Sequence, residues 1–408
     1  MINQLIMLVK RKRFRQWFRG PVAVMILFLI IGTVHVTYVI YKGPLIAPDT
    51  DDYLNWANYL ITHNFNYLKL YFNNFSVESE SSHILFMRFG FSSIVAFCKI
   101  ILNSNWLYGV LIFNLFMYLL AIYTILFFVW KLTKDVFTLV FCSVICLISN
   151  EMLLWVNYIL TDSSFMSIVF LILFSTTNFL LPKANSFNLK LSIFGLVILS
   201  LFWRPTAIPI ILFIFIILIS KQLIRKFPNI KILLLIDITF ITLIFIISSY
   251  YFLFNSNSQH ITNIIGFSHW NFVSDRVYGF DNIFYNSPYK NILSPALYYV
   301  LKFITYFTFF NQEFSVYHIV ANLIFFIPVY SFSFFAIYSF FKKPIYVNNN
   351  LIIATFAITL FIMSFGLFHT IIAHIDYDWR YRLPIIPVLI VLSSIGFYEL
   401  TGLLKLRK

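Results

Sequence analysis

Long runs of apolar residues are the feature that most restricts what this chain can fold into. A helix that crosses the hydrocarbon core of a bilayer needs about 20 mainly apolar residues. The chain is 61% hydrophobic and only 11% charged, whereas soluble domains carry about 25% charged residues. The sequence therefore predicts an all-α integral membrane protein. About ten candidate spans fall near 21–41, 105–130, 136–152, 163–181, 190–204, 206–220, 230–254, 316–341, 350–372 and 384–403.

Two of these runs are short, and they meet at Arg204-Pro205. Proline lacks a backbone donor and disfavours helix at the residue before it, so the chain is expected to turn there, near one membrane face. If the two runs instead formed one kinked span, every later segment would lie on the opposite side of the membrane.

The placement of charges decides between these topologies. Cytoplasmic loops of membrane proteins carry an excess of Lys and Arg. With ten spans and a cytoplasmic N-terminus, the inner segments together with Lys190 hold 19 of the 29 Lys and Arg, and the outer segments hold 12 of the 15 Asp and Glu. The sequence thus predicts ten spans with both termini inside. The net charge of +14 then follows from topology, and no nucleic-acid partner is expected.

The segments outside the spans complete this prediction. The basic N-terminus precedes an apolar run too long for a cleaved signal peptide, so it is interpreted as a retained anchor. Two outer segments, 42–104 and 255–315, are too long to be turns. Arg88 and Lys99 interrupt the amphipathic stretch 83–102, which is expected to lie along the membrane surface as a juxtamembrane helix. The whole chain, 1–408, is predicted to be one transmembrane domain without a separate soluble domain.

An acidic motif follows the first span after a few residues. Asp49, Asp51 and Asp52 place three carboxylates within four residues, which must repel one another unless a cation lies nearby. One of them could accept a proton from an acceptor hydroxyl or amine. The alternative is a solvated loop, or an N-cap for a helix over 53–61.

Three further features lie at the predicted outer ends of spans. Asp162 opens the span 163–181, where a simple N-cap is the alternative. Arg204 either reaches to lipid headgroups or binds an anion such as phosphate. Arg380 and Arg382 precede the last span and could grip a phosphate together, unless they are interfacial residues that pair with nearby acids.

These motifs, in this order, resemble those of the GT-C superfamily of membrane glycosyltransferases. The likeness is greatest to the bacterial dolichyl-phosphate-mannose–protein mannosyltransferase-like and lipid A aminoarabinose-transferase-like group. Its pattern has an acidic motif with a Tyr in the first outer loop, a juxtamembrane helix, an Asn-bearing span, Thr-Asp, Arg-Pro and Arg-Tyr-x-x-Pro. The matching positions here are Pro48-Asp49-Thr50-Asp51-Asp52-Tyr53 with Ala57, Arg88-Phe89-Gly90-Phe91, Asn114, Thr161-Asp162, Arg204-Pro205 and Arg380-Tyr381-Arg382-Leu383-Pro384.

The resemblance implies an inverting transfer of a sugar from a polyprenyl-phosphate donor to a glycan, lipid or protein acceptor at the outer face of the cell membrane. It implies that a first-loop Asp acts as base. Asp49 matches the family position best, although Asp51 or Asp52 could be the equivalent. Arginines would hold the donor phosphate, and the remaining motif residues would bind substrate. Those assignments are Arg204, Arg380 and Arg382 for the phosphate, and Tyr53, Arg88, Asp162 and Tyr381 for substrate.

No cofactor or metal is predicted, because a phosphate leaving group need not require one. The Asp49-x-Asp51 pair would nevertheless suit a divalent ion, as in the oligosaccharyltransferase branch of the superfamily. Two other functions stay open. A polysaccharide polymerase or O-antigen ligase would use a diphosphate-linked donor. A lipid or glycan transporter would place ionisable residues near the middle of the membrane, where the sequence offers only Asp237, close to the inner end of its span.

Overall fold

The computed structural model describes residues 20–66, 89–181, 187–226, 229–254, 303–304, 306–308, 315–342, 350–371 and 379–406. Within these ranges the elements are helices, and the only strand-like pairing is an isolated bridge between Leu45 and Tyr158. The α-helices are α1 Pro21–Lys42, α2 Thr50–Thr62, α3 Phe89–Leu102, α4 Trp106–Thr133, α5 Val136–Leu147, α6 Asn150–Asn157, α7 Asp162–Leu180, α8 Phe187–Trp203, α9 Ile208–Lys226, α10 Ile230–Phe254, α11 Val316–Lys342, α12 Asn350–Ile371 and α13 Ile386–Leu406. Short 3-10 helices occupy Asn103–Asn105, Pro205–Ala207 and Trp379–Ile385.

Seven helical segments in the described part of the chain are long and apolar enough to cross a membrane, or eight if the bent pair α5–α6 is one span. The helices α8 and α9 are apolar but shorter. The prediction of an all-α, multi-pass membrane protein is therefore confirmed. A helix lies in each of the ten apolar ranges predicted from the sequence.

The predicted span 136–152 differs from the structure, because the chain bends by 47° between α5 and α6. Helix α5 begins where Asp135 Oδ2 accepts a hydrogen bond from the backbone N of Thr138 at 2.9 Å. It ends at Leu147, whose carbonyl accepts from His35 Nε2 at 3.3 Å, while His35 Nδ1 lies 2.9 Å from the Tyr118 hydroxyl. A carbonyl at a helix end lacks an intrahelical partner. The contact with His35 of α1 gives the Leu147 carbonyl a hydrogen-bond partner at the bend.

Helices α2 and α3 pack against each other beside the start of the bundle. The predicted helix 53–61 is confirmed, and it extends over Thr50–Thr62. One face of α2 is buried through Tyr53, Ala57 and Leu60. The ring of Tyr53 contacts Phe91 of α3 edge-on, with 5.1 Å between centroids. The helix that carries the acidic motif is therefore packed against α3.

Helix α7 lies at the centre of the fold, and nearly all of its residues are buried. It contacts α4, α8 and α12, and it also contacts the 3-10 helix Trp379–Ile385. The N-terminus of α7 therefore lies beside a segment more than 200 residues later in the sequence. This arrangement brings several motifs from the sequence to one end of the bundle.

Candidate functional site

A small, partly open cavity lies where segments far apart in the sequence meet. The α8–α9 junction, the last turns of α12, the 3-10 helix Trp379–Ile385 and Tyr306 line it. Two of its lining residues are arginines, and most of the others are aromatic. The lining consists of Arg204, Thr206, Tyr306, Phe365, Phe368, His369, Arg380, Tyr381 and Pro384.

Arg204 is fixed in one wall by partners on two sides. Its Nη1 forms an ion pair with Asp162 Oδ1 at the start of α7, and its guanidinium lies over the ring of Tyr381, 5.4 Å from the centroid. The preceding Trp203 donates a hydrogen bond from Nε1 to Ser164 Oγ at 2.7 Å. The buried carboxylate of Asp162 thus orients Arg204, in addition to its position at a helix start.

Arg380 joins the cavity to the acidic motif. Its Nη1 lies 3.0 Å from Asp49 Oδ2, across 331 residues of sequence. The pair is partly open to the surroundings, since 24% of the Arg380 side chain and 45% of the Asp49 side chain are exposed. Arg380 thus places a cation beside one of the three carboxylates that repel one another in the acidic motif. Asp49 precedes α2 without a side-chain capping hydrogen bond, so its carboxylate is not used as an N-cap.

Aromatic rings connect the rest of the cavity wall. The ring of His369 lies 4.9 Å from that of Tyr306 and 5.7 Å from that of Tyr381. The hydroxyl of Tyr306 donates to the backbone carbonyl of Tyr381 at 3.2 Å. Burial raises the pKa of Tyr306 well above its ordinary value, so this hydroxyl keeps its proton and remains a donor.

Arg382 does not share the position of Arg380. It is 1% exposed, and its Nη2 lies 2.5 Å from Glu151 Oε1 of α6. Its Nη1 donates to the carbonyl of Thr308, and its guanidinium lies 4.4 Å from the ring centroid of Phe326. With three residues per turn in a 3-10 helix, positions two apart point in different directions. The two arginines therefore diverge: Arg380 pairs with Asp49 at the cavity, and Arg382 pairs with Glu151 in the interior.

The remaining predicted residues lie around this site or outside the described ranges. Asp51 and Asp52 are exposed on α2. Tyr53 is buried, and its hydroxyl lies 3.2 Å from Thr161 Oγ1, next to the Asp162–Arg204 pair. Arg88 is outside the residues that the structure describes.

Three residues at or near this site, Tyr306, His369 and Glu151, could not be recognised as such from the sequence. The first two are aromatic residues in a chain where 21% of residues are Phe, Trp or Tyr, so nothing local marked them. Glu151 falls at the end of a predicted span, and only its acidity in an apolar setting could have indicated it. Among the described residues no group of three or more His, Cys, Asp or Glu suits a metal ion.

The geometry provides two guanidinium groups on one aromatic cavity, with a carboxylate at its edge. Such an arrangement can hold an anion and place a proton acceptor next to it. Comparison of the chain with protein family models, with curated proteins and with solved structures finds no match.

Proposed function

We propose that the protein is a GT-C-like glycosyltransferase that moves a sugar from a polyprenyl-phosphate donor to an acceptor at the outer face of a cell membrane. One observation carries the proposal: Arg204 and Arg380 line the same cavity, and Arg380 binds the carboxylate of Asp49. An anion site with an adjoining base, in a protein of apolar helices, suits a lipid-linked phosphate substrate. The acceptor would be a cell-surface glycan, lipid or protein.

In this proposal Arg204 and Arg380 bind the donor phosphate. Guanidinium groups match the oxygens of a phosphate in a fixed fork. They also stabilise the negative charge that grows on the phosphate as the sugar leaves. Tyr381 and Asp162 orient Arg204, and Tyr53 supports the acidic motif through Thr161. Arg88 keeps its predicted role in substrate binding. Arg382, being buried, supports the site and does not contact the donor.

Asp49 acts as the base. The acceptor oxygen attacks the anomeric carbon, the bond from that carbon to the phosphate oxygen breaks, and the acceptor proton passes to Asp49. One displacement of this kind inverts the configuration at the sugar. The Asp49–Arg380 pair also sets the order of binding. A donor phosphate that binds Arg380 releases the Asp49 carboxylate, which can then accept the proton of the acceptor. Asp51 and Asp52 are alternatives as base, and both lie in the first turn of α2.

The proposed topology has ten crossings with both termini in the cytoplasm, which puts this cavity at the outer side. The distribution of Lys, Arg and acids along the sequence supports it. The broken pair α5–α6 then crosses as one span, and α8 and α9 cross as two short ones. Helices α2 and α3 would lie at the outer surface.

Labelling of single cysteines tests this topology. The native cysteines Cys98, Cys142 and Cys146 are buried, so they give little background. We expect Asp51→Cys to react with a membrane-impermeant maleimide in intact cells, and Lys342→Cys to react only after permeabilisation. Reaction of Lys342→Cys in intact cells would invert the proposed sidedness and remove the site from the outer face.

The function itself is tested with purified protein and two classes of donor. We expect release of polyprenyl phosphate from a monophosphate-linked sugar when an acceptor is present, and no turnover of a diphosphate-linked oligosaccharide. We expect a metal chelator to leave the rate unchanged. Turnover of the diphosphate donor alone would identify a polymerase or ligase. Movement of the lipid across proteoliposomes without bond cleavage would identify a transporter.

A further inference from the structure

The ion pair between Glu151 and Arg382 lies beneath the candidate site and is more deeply buried than either pair at the cavity. Glu151 is 3% exposed and Arg382 is 1% exposed. The second oxygen of Glu151, Oε2, has no hydrogen-bond partner among the described residues. A buried pair that is incompletely hydrogen-bonded is a poor source of stability, because desolvating two charges offsets their attraction. The Glu151–Arg382 pair is therefore expected to have a role other than stabilising the fold.

The 3-10 helix Trp379–Ile385 suggests what that role is. Its three consecutive residues Arg380, Tyr381 and Arg382 each have a different partner. Arg380 binds Asp49, and the ring of Tyr381 lies under the guanidinium of Arg204. Arg382 binds Glu151 on α6 and the carbonyl of Thr308. The first two contacts belong to the cavity, and substrate binding must rearrange at least the first. The Arg382 contacts can hold the segment while that happens, together with the hydrogen bond from the Tyr306 hydroxyl to the Tyr381 carbonyl.

We infer that Glu151 is a positioning residue, which fixes through Arg382 the place of Arg380 and Tyr381 in the cavity. Glu151 touches neither the cavity nor the acidic motif in the described structure. Its action is on donor binding, because a guanidinium displaced from its place no longer matches the oxygens of the donor phosphate. This inference rests on the proposed function only for its kinetic test.

The kinetic test uses Glu151→Gln, which keeps the size of the side chain and removes its charge. We expect the KM for the polyprenyl-phosphate donor to rise about tenfold or more, a change of about 1.4 kcal/mol in binding, while kcat changes about threefold or less. The matched control is Asp237→Asn. Asp237 is also buried, accepts a hydrogen bond from Ser220 at 2.7 Å, and belongs to α10, away from the 3-10 helix. We expect its KM to equal that of the native protein. A rise of KM in both variants would overturn the inference.

A second variant separates positioning from folding. Replacing a buried ion pair by apolar residues of similar volume is often neutral or stabilising, so Glu151→Met with Arg382→Met should fold even if Glu151→Gln does not. If the charged pair positions the segment, the double variant has native thermal stability and a raised KM. A native KM in this variant would show that any well-packed pair suffices, and would contradict the inference.

A measurement without substrate keeps this inference distinct from the proposed function. Cysteines introduced as Asp49→Cys and Arg380→Cys remove the Asp49–Arg380 pair, so the segment then depends on Glu151 and Arg382. We expect a short bifunctional maleimide to link the two cysteines, and the linking rate to fall about fivefold or more when Glu151→Gln is added, because the displaced segment no longer holds the two cysteines in place for linking. An unchanged rate would overturn the positioning role. Efficient linking that depends on Glu151, in a protein that turns over no donor, would contradict the proposed function alone.

Discussion

Replacing Asp49 by Asn should lower kcat for glycosyl transfer by about two to four orders of magnitude, the range that a positioned general base contributes. The amide has nearly the same shape as the carboxylate, but it cannot accept the acceptor proton. The change should leave the fold intact, since the Asp49 side chain is 45% exposed and makes no capping hydrogen bond. Thermal unfolding of the detergent-solubilised protein provides the check on folding.

The effect of this substitution on KM distinguishes a base from a binding residue. Asp49 competes with the donor phosphate for Arg380, because its Oδ2 lies 3.0 Å from Nη1 of that arginine. Removing the negative charge makes Arg380 more available, so the KM for the donor should stay the same or fall. A variant with native kcat and a raised KM would assign Asp49 to binding and remove it as the base.

Asp51→Asn and Asp52→Asn are the matched comparisons, since all three acids lie within four residues. Both side chains are exposed on α2, and we expect each substitution to change kcat less than about threefold, as for most changes at exposed positions. Loss of activity in Asp51→Asn or Asp52→Asn with Asp49→Asn active would transfer the role of base to that residue. The three variants are measured with one donor and one acceptor under identical conditions.

The helices could be predicted from the sequence because apolar runs of about 20 residues have few other solutions. The bend between α5 and α6 could not. At the bend, His35 of α1 contacts the carbonyl of Leu147, and a contact across more than 100 residues leaves no mark on local hydrophobicity. The apolar run 136–152 therefore predicts one unbroken span, whereas the structure has two short helices joined by a bend.

For the candidate site, the sequence indicated single residues but not how they pair. Asp49, Arg204 and Arg380 were singled out because they are acids and arginines at the predicted outer ends of apolar runs. The pairing of Asp49 with Arg380 and of Asp162 with Arg204 required the fold. The divergence of Arg380 and Arg382 also required it, because a spacing of two residues has no fixed meaning until the helix type is known. In a helix of three residues per turn the two side chains point apart.

The largest structural effect is expected from Gly396→Ala, in the contact between α11 and α13. A Cβ at Gly396 would overlap the carbonyl oxygen of Phe332 and lie 3.1 Å from the backbone N of Ala336. Both are backbone atoms, so no side chain can move aside and the two helices must separate. Small residues permit such close approach between membrane helices. We expect a loss of about 3 kcal/mol or more, at or above the upper end for overpacking, and a matching fall in the melting temperature.

Gly195→Ala is the control for this prediction, because it makes the same substitution in a helix where a Cβ meets nothing within 4 Å. Alanine is favoured over glycine in a helix by about 1 kcal/mol, so Gly195→Ala should raise stability or leave it unchanged. A loss of stability in Gly396→Ala with no loss in Gly195→Ala would locate the effect in the α11–α13 contact. Equal changes of stability in the two variants would contradict that assignment.

Because α13 follows directly from the 3-10 helix that carries Arg380, separation of α11 and α13 should also displace that arginine. Donor affinity should then fall in Gly396→Ala protein that remains folded and stay native in Gly195→Ala.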